Sequence, residues 1–290
     1  MSNSRSWSQI KQKLHSQEAT NFAAALSTGL MTASVFHMFD RANYLSVTNN
    51  RAFFNVENFQ QPLRGITQSL IHKGSTTLVY CFMQAELTAY FLPNKEAMST
   101  QQQLFAQFAV GAGAGAITGI ITNPIAAAKY GRWNNNYGMD KSSWKHMRNI
   151  TKGMAPTIFR DVAFAVPYEV IRRNLMQWLM LDSDGVARHE EKKLVCNAVA
   201  AAIGTVIAAP FQYARFQQYK TPPEAKAPSI KQSLQAVATQ VKQETTNPLK
   251  RVSKAYSQHF KVGYGIWRVA AGMAITQTVF DATRKKLNSK

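Results

Sequence analysis

A fixed interval of 86 residues runs through this chain and constrains its fold more than any other feature. Met38, Pro124 and Pro210 are separated by that interval, and each lies near the end of a long run without charged residues. The residues nine positions earlier are small and those five positions later are polar: Gly29, Gly115 and Ala201, then Asn43, Lys129 and Arg215. Self-similarity at a fixed period indicates copies of one supersecondary unit. We therefore predict three repeats, at 19–100, 101–188 and 189–290, after an N-terminal lead-in at 1–18.

The uncharged runs are long enough to cross a membrane. They cover 19–39, 97–128 and 194–214, and a bilayer core takes about 20 helical residues. The intervening apolar segments carry ionisable residues in mid-span, which survive in a membrane by facing a water-filled interior. We predict an all-α membrane protein with six transmembrane helices in three pseudo-threefold repeats, at about 19–45, 66–92, 103–133, 153–180, 190–219 and 262–287. For the second segment, a position partly outside the bilayer stays open.

The positive charge alternates along the chain. The net charge is +19; segments 41–65, 129–152 and 215–261 hold 18 Lys/Arg against four Asp/Glu, whereas 93–100 and 182–193 hold four against five. Such alternation is typical of a polytopic protein with one positive side. A nucleic-acid binder would gather its charge on one face, so we expect no nucleic-acid partner.

No catalytic or metal-binding pattern stands out. The six histidines are scattered, and no Ser/His/acid grouping or His-Glu-x-x-His motif is present. Cys81 and Cys196 fall in apolar segments without metal-binding spacing. We expect neither an enzyme nor a cofactor. The segment after Thr221 reads as an amphipathic helix with Ile230, Leu234 and Val237 on one face, which either rests on an anionic membrane surface or is a solvated connector.

Three stretches resemble the mitochondrial carrier family. Residues 111–124 read Gly-Ala-Gly-Ala-Gly-Ala-Ile-Thr-Gly-Ile-Ile-Thr-Asn-Pro, residues 152–161 read Lys-Gly-Met-Ala-Pro-Thr-Ile-Phe-Arg-Asp, and 280–284 read Phe-Asp-x-x-Arg. They are similar to the third helix, the start of the fourth and the end of the sixth in that family. The resemblance implies three pairs of membrane helices, each with a short matrix-side helix, and alternating-access transport by a monomer in the mitochondrial inner membrane. It also implies lipid partners, including anionic lipid such as cardiolipin.

The family closes its pathway with rings of ion pairs, and this chain departs from both rings. The matrix-side motif Pro-x-[Asp/Glu]-x-x-[Lys/Arg] is reduced here to one acid and two bases, Asp40, Lys129 and Arg215. The resemblance implies that Asp40 pairs with Lys129, and that Pro124 and Pro210 bend their helices inward, although such kinks also occur in inert helices. It assigns a cytoplasmic gate to Glu169, Arg172, Asp281 and Arg284. Tyr168-Glu169-x-x-Arg172 lies about one turn early, so either it is a gate or the fourth span is deformed. A weak gate predicts leaky or asymmetric transport.

The family's substrate contacts lie mid-span on the even helices. Counted from Arg64-Gly65 and Lys152-Gly153, and from the closing motif, the resemblance assigns them to His72, Lys73, Arg160, Asp161 and Arg268. Arginine offers a planar fork suited to phosphate or carboxylate, so we expect an anionic small molecule.

The identity of the anion follows from competing signals. The pair Arg160-Asp161 resembles the pair that carriers of amino or keto acids have at this position. The number of bases fits a polyanion, and Trp267, Phe159 or Tyr264 could stack on a base. The weakened motifs resemble those of an outlier, a nucleotide carrier that an intracellular bacterial pathogen delivers to host mitochondria. We expect ATP/ADP transport; the alternatives are an amino- or keto-acid carrier and a membrane adaptor without transport.

Overall fold

The described part of the chain is helical throughout its regular secondary structure. The computed structural model describes residues 3–92, 98–134, 151–179, 186–222, 225–272 and 275. Nine α-helices are labelled in chain order, with a π-helical turn at Ala255–His259 before the last: α1 Asn3–Thr48, α2 Val56–Phe59, α3 Ile66–Phe91, α4 Thr100–Trp133, α5 Met154–Leu179, α6 Val186–Lys220, α7 Ile230–Glu244, α8 Pro248–Lys254 and α9 262–272. The lead-in is part of α1, which runs without a break from Asn3.

Three of these helices are long and apolar enough to cross a membrane. The qualifying segments are Phe22–Thr48, Gln101–Trp133 and Lys192–Lys220. Their most apolar windows are only 33%, 29% and 33% buried inside the protein, so most of their surface faces outward. On α6 the exposed residues Val195, Val199, Ile203 and Ile207 form one stripe at a spacing of four. These findings confirm an all-helical chain with helices that could span a bilayer.

The long helices pack in a closed ring. Helices α1, α3, α4, α5 and α6 contact one another in chain order. Helix α9 completes the ring, because a Cβ at Gly265 would lie 3.0 Å from Thr205 of α6, and Trp267 packs edge-on against Phe36 of α1 at 5.7 Å. Small residues permit several of these approaches; a Cβ at Gly119 of α4 would lie 3.1 Å from Thr157 of α5.

Helices α3 and α5 each begin at a position that only glycine fits. Gly65 and Gly153 have φ angles of 78° and 76°, in the left-handed region. A Cβ at Gly65 would lie 3.0 Å from the Trp133 ring, and one at Gly153 would collide with the Tyr219 ring. The start of α3 therefore packs against the end of α4, and the start of α5 packs against the end of α6.

Both predicted kink residues lie inside continuous helices. Pro124 is within α4 and Pro210 within α6, and the helix continues on each side. Each proline removes one backbone donor near the end of its helix. The C-terminal turns that follow carry the side chains of the site described next.

Candidate functional site

The helix ring encloses a cavity of about 470 Å³. Eight residues that the sequence analysis singled out line it together: Asp40, His72, Lys73, Lys129, Arg160, Asp161, Arg215 and Arg268. The predicted substrate contacts and the predicted matrix gate therefore surround one space. Lys261, which the sequence analysis passed over, also lines it. The lining holds six Lys/Arg and two Asp side chains.

One ion pair joins the first and last helices of the ring. Arg268 donates through Nε to Asp40 Oδ1 at 2.7 Å and through Nη2 to Oδ2 at 3.1 Å. Tyr264 Oη also donates to Asp40 Oδ1, at 2.9 Å. A bidentate fork of this kind is among the strongest side-chain contacts. The predicted pairing of Asp40 with Lys129 is therefore wrong, because α9 brings Arg268 to that carboxylate.

A second ion pair lies on the opposite side of the cavity. Arg160 Nε donates to Asp161 Oδ1 at 2.8 Å, and Arg160 Nη1 donates to Gln212 Oε1 of α6 at 3.2 Å. Gln212 stands where the matrix-side motif has its acid, so a neutral amide meets the arginine there. Both aspartates of the lining are thus neutralised by neighbouring arginines.

Four cations of the lining have no carboxylate partner within the described residues: Lys73, Lys129, Arg215 and Lys261. Of these, Lys129 and Arg215 are only 9% and 3% exposed. Charges held out of water are costly unless they are paired. The cavity therefore offers net positive charge to an anion that enters it.

Aromatic rings form the floor of the cavity. We call Tyr44, Tyr130, Trp133, Phe216 and Tyr219 the aromatic cluster; each ring is at most 5% exposed. Its members come from the last turns of α1, α4 and α6, at the end of the ring nearest the basic connecting segments, here called the basic end. The cluster is continuous, with Tyr130 stacked on Tyr219 at 4.6 Å and tilted against Tyr44 at 4.9 Å.

Two of the unpaired cations rest on this floor. Lys129 Nζ lies 4.6 Å from the centre of the Tyr130 ring and 4.7 Å from that of Trp133. The Arg215 guanidinium carbon lies 5.3 Å from the Tyr130 ring and 5.4 Å from that of Tyr219. These distances are typical of cation–π contacts. Aromatic faces therefore stand where the resemblance implied carboxylates.

Of the residues predicted for the cytoplasmic gate, the structure describes the side chain of Arg172 alone. Arg172 lies over the Tyr168 ring at 5.9 Å and outside the cavity lining. Glu169 is on α5, and its side chain lies outside what the structure describes, as do Asp281 and Arg284. The cytoplasmic gate stays a prediction. Of the proposed base-stacking residues, Tyr264 lines the cavity, whereas Trp267 and Phe159 do not.

A signal for the aromatic cluster was present in the sequence. Tyr44, Tyr130 and Phe216 are separated by the same 86 residues that separate Met38 and the two kink prolines. Val47, Trp133 and Tyr219 form a second set at that interval. Both sets were missed because aromatic residues in an apolar segment look like ordinary packing residues.

No protein-family model matches the chain, and no curated protein matches it. The mitochondrial carrier resemblance therefore stays a prediction.

Proposed function

We propose that this protein carries an anionic metabolite, adenine nucleotide in the first place, across a membrane by alternating access through the cavity. The observation that carries the proposal is the set of cations Lys73, Lys129 and Arg215, which face an enclosed space without a carboxylate partner among the described residues. An anion that neutralises them offsets the cost of holding these charges close together and away from water. The mitochondrial inner membrane is proposed as its location, from the family resemblance alone.

Six membrane crossings in three repeats are part of this proposal. Helices α3 and α5 are each 26 residues long, which at 1.5 Å per residue is about 39 Å and exceeds a bilayer core of about 30 Å. Large apolar residues are exposed on both helices, among them Ile71 and Leu78 on α3 and Val166 and Val170 on α5. Lys73 of α3 and the pair Arg160 and Asp161 of α5 line the cavity, as expected for helices that cross lipid around a wet interior.

The repeat is supported by hydrogen bonds at equivalent positions. His37 and Asn123 are 86 residues apart, and each bonds the carbonyl oxygen of the residue before a left-handed glycine. His37 Nε2 lies 3.2 Å from Arg64 O, and Asn123 Nδ2 donates to Lys152 O at 2.9 Å. Two copies of one turn thus use the same anchoring contact.

The aromatic cluster is the proposed gate at the basic end. A cation–π contact is worth about 0.5–2 kcal/mol, while a hydrogen bond to a charged group contributes about 1.5–3 kcal/mol. An anion that reaches Lys129 and Arg215 therefore competes favourably with the rings beneath them. Its binding would draw the cations off the cluster and weaken the closed state. Because Asp40 is engaged by Arg268, it adds nothing to this gate, and closure should be weak.

A polyanion suits the cavity better than a monoanion. Two aspartates are already neutralised and four further cations remain in the described lining, so a ligand with several negative charges balances it. Asp161 is the observation that favours the alternative, an amino-acid carrier, because its carboxylate could accept a substrate ammonium group once released by Arg160.

Transport in liposomes tests the proposal. Purified protein would be reconstituted and supplied with labelled ATP, ADP, glutamate or 2-oxoglutarate in turn. We expect nucleotide uptake, and a fall of about tenfold or more in Lys73→Ala, because a charge-assisted contact is lost. Lys226→Ala, which removes an exposed lysine outside the cavity, should transport normally. Uptake of the acids alone would move the proposal to the alternative substrate, and uptake of none would favour a membrane adaptor.

A further inference from the structure

Lys261 occupies a backbone conformation that lysine normally avoids. Its φ angle is 51°, in the left-handed region, where a Cβ is crowded by the neighbouring carbonyl. The residue comes directly before α9. The starts of α3 and α5 use the same conformation but place Gly65 and Gly153 there, at no steric cost.

The three turns are equivalent by position. Each left-handed residue stands seven residues before an ionisable residue that lines the cavity: Gly65 before His72, Gly153 before Arg160, and Lys261 before Arg268. The third repeat thus has lysine where the other two have glycine.

The side chains at the ends of α4 and α6 explain why the first two repeats have glycine at this position. The rings of Trp133 and Tyr219 leave no room for a Cβ at Gly65 and Gly153. The residue 86 positions before Trp133 is Val47, whose side chain is much smaller. The third repeat therefore has room for a side chain at this position. The left-handed backbone conformation is still unfavourable for any residue other than glycine. Strain of this kind persists where the residue has a role in function.

The Lys261 side chain reaches the cavity. It lines the basic end with Phe260 and Val262 and is partly buried. It forms no hydrogen bond or ion pair with any other described residue. Burial lowers the pKa of its ammonium group, and His259, with which it interacts electrostatically, offers no negative charge. An anion would supply what this ammonium group lacks.

We infer that Lys261 is a substrate-contacting residue, which binds the oxygens of a polyanion at the basic end of the cavity and so favours polyphosphate over singly charged substrates. The inference rests on the proposed function. Lys261 extends the cationic lining toward the connectors, where it can meet the outer phosphate of a ligand whose remainder contacts Lys73 or Arg160. Lysine is kept at this position despite its left-handed backbone, because glycine there would carry no charge.

Replacement by glycine separates the two effects. In purified full-length protein, Lys261→Gly removes both the ammonium group and the strain, so we expect a melting temperature equal to or above that of the unaltered protein. Affinity for ATP should fall about tenfold, and affinity for AMP should fall less. Lys261→Arg should keep the ATP affinity. Lys226→Gly, which removes an exposed lysine from a connector, is the charge-matched control and should bind ATP normally.

Each other outcome has a distinct meaning. A clear drop in the melting temperature of Lys261→Gly would overturn the inference, because the lysine would then hold the fold. Unchanged ATP affinity in Lys261→Gly, with binding lost in Lys73→Ala, would overturn it while leaving the proposed function intact. Absence of ATP and AMP binding in the unaltered protein would overturn the proposed function and this inference together.

Discussion

In the proposed gate, Tyr130 is the residue on which we expect closure at the basic end to depend most. Its ring lies against Tyr44, Trp133, Phe216 and Tyr219 at centroid distances of 4.6–5.6 Å. It also lies under both unpaired cations of the floor and is only 4% exposed. Leucine at this position would keep an apolar side chain but remove the π face. Phenylalanine would keep the face and remove only the hydroxyl group.

The magnitude follows from the contacts that leucine loses. Two cation–π contacts are worth about 0.5–2 kcal/mol each, and aromatic pairs add about 0.5–1.5 kcal/mol each beyond their buried area. These contributions are not additive within one cluster, so about 3 kcal/mol is a fair total for Tyr130→Leu. Since about 1.4 kcal/mol changes an equilibrium tenfold, the ratio of closed to open protein should fall roughly 100-fold.

The assay is efflux from liposomes without an exchange partner. Vesicles loaded with labelled ATP and bearing Tyr130→Leu should lose label much faster than vesicles with the unaltered protein. Tyr130→Phe should stay within about threefold of the unaltered protein, because the rings and both cation contacts remain. Circular dichroism of both variants checks that the helices persist.

Two results would refute this reasoning. Equal efflux in Tyr130→Leu and Tyr130→Phe, with both proteins folded, would mean that the π faces do not hold the gate. Slower efflux in Tyr130→Leu would mean that the aromatic cluster lies on the substrate's path and assists passage rather than closing it.

Three further predictions concern the ion pair, a turn and the connector. Asp40→Asn frees Arg268, so ATP binding should tighten several-fold while thermal stability falls by about 1–3 kcal/mol; unchanged binding would mean that this arginine does not meet substrate. Gly153→Ala should cost about 2 kcal/mol or more in unfolding free energy, whereas Gly131→Ala, with open space at its Cβ, should be neutral. Burial lowers the pKa of His259, so its stabilisation is complete above about pH 6.5 and is lost as pH falls through the lower folded pKa. His259→Phe should therefore lose less melting temperature than the unaltered protein between pH 7.5 and pH 5.5; identical losses would exclude this histidine as the source.

The position of the cationic cavity was predictable because a lipid environment restricts which residue types can occur along a helix. Long uncharged runs identify apolar helices, and an ionisable residue inside such a pattern must face an interior. Lys73 and Arg160 were found in this way, and both line the cavity.

The partner of each charge was not predictable from spacing. Asp40 and Arg268 are 228 residues apart, and only the closure of the ring by α9 brings them to 2.7 Å. Family analogy assigned Asp40 to Lys129, a neighbour along the interval, but Lys129 lies on aromatic rings instead. Lys261 was missed for a related reason: a lysine in a basic connector looks like a solvated residue until its backbone conformation is known.

From the amino-acid order alone one reads apolar runs of membrane length, matching positions at an interval of 86 residues and a net charge of +19. These properties are legible because the cost of a charge in lipid depends on the residue itself and its place along a helix. The packed fold decided which cations are neutralised, which rest on aromatic rings and which remain for a ligand. The partner of each cation depends on which helices are neighbours around the ring. The residues near that cation in the sequence do not determine this arrangement.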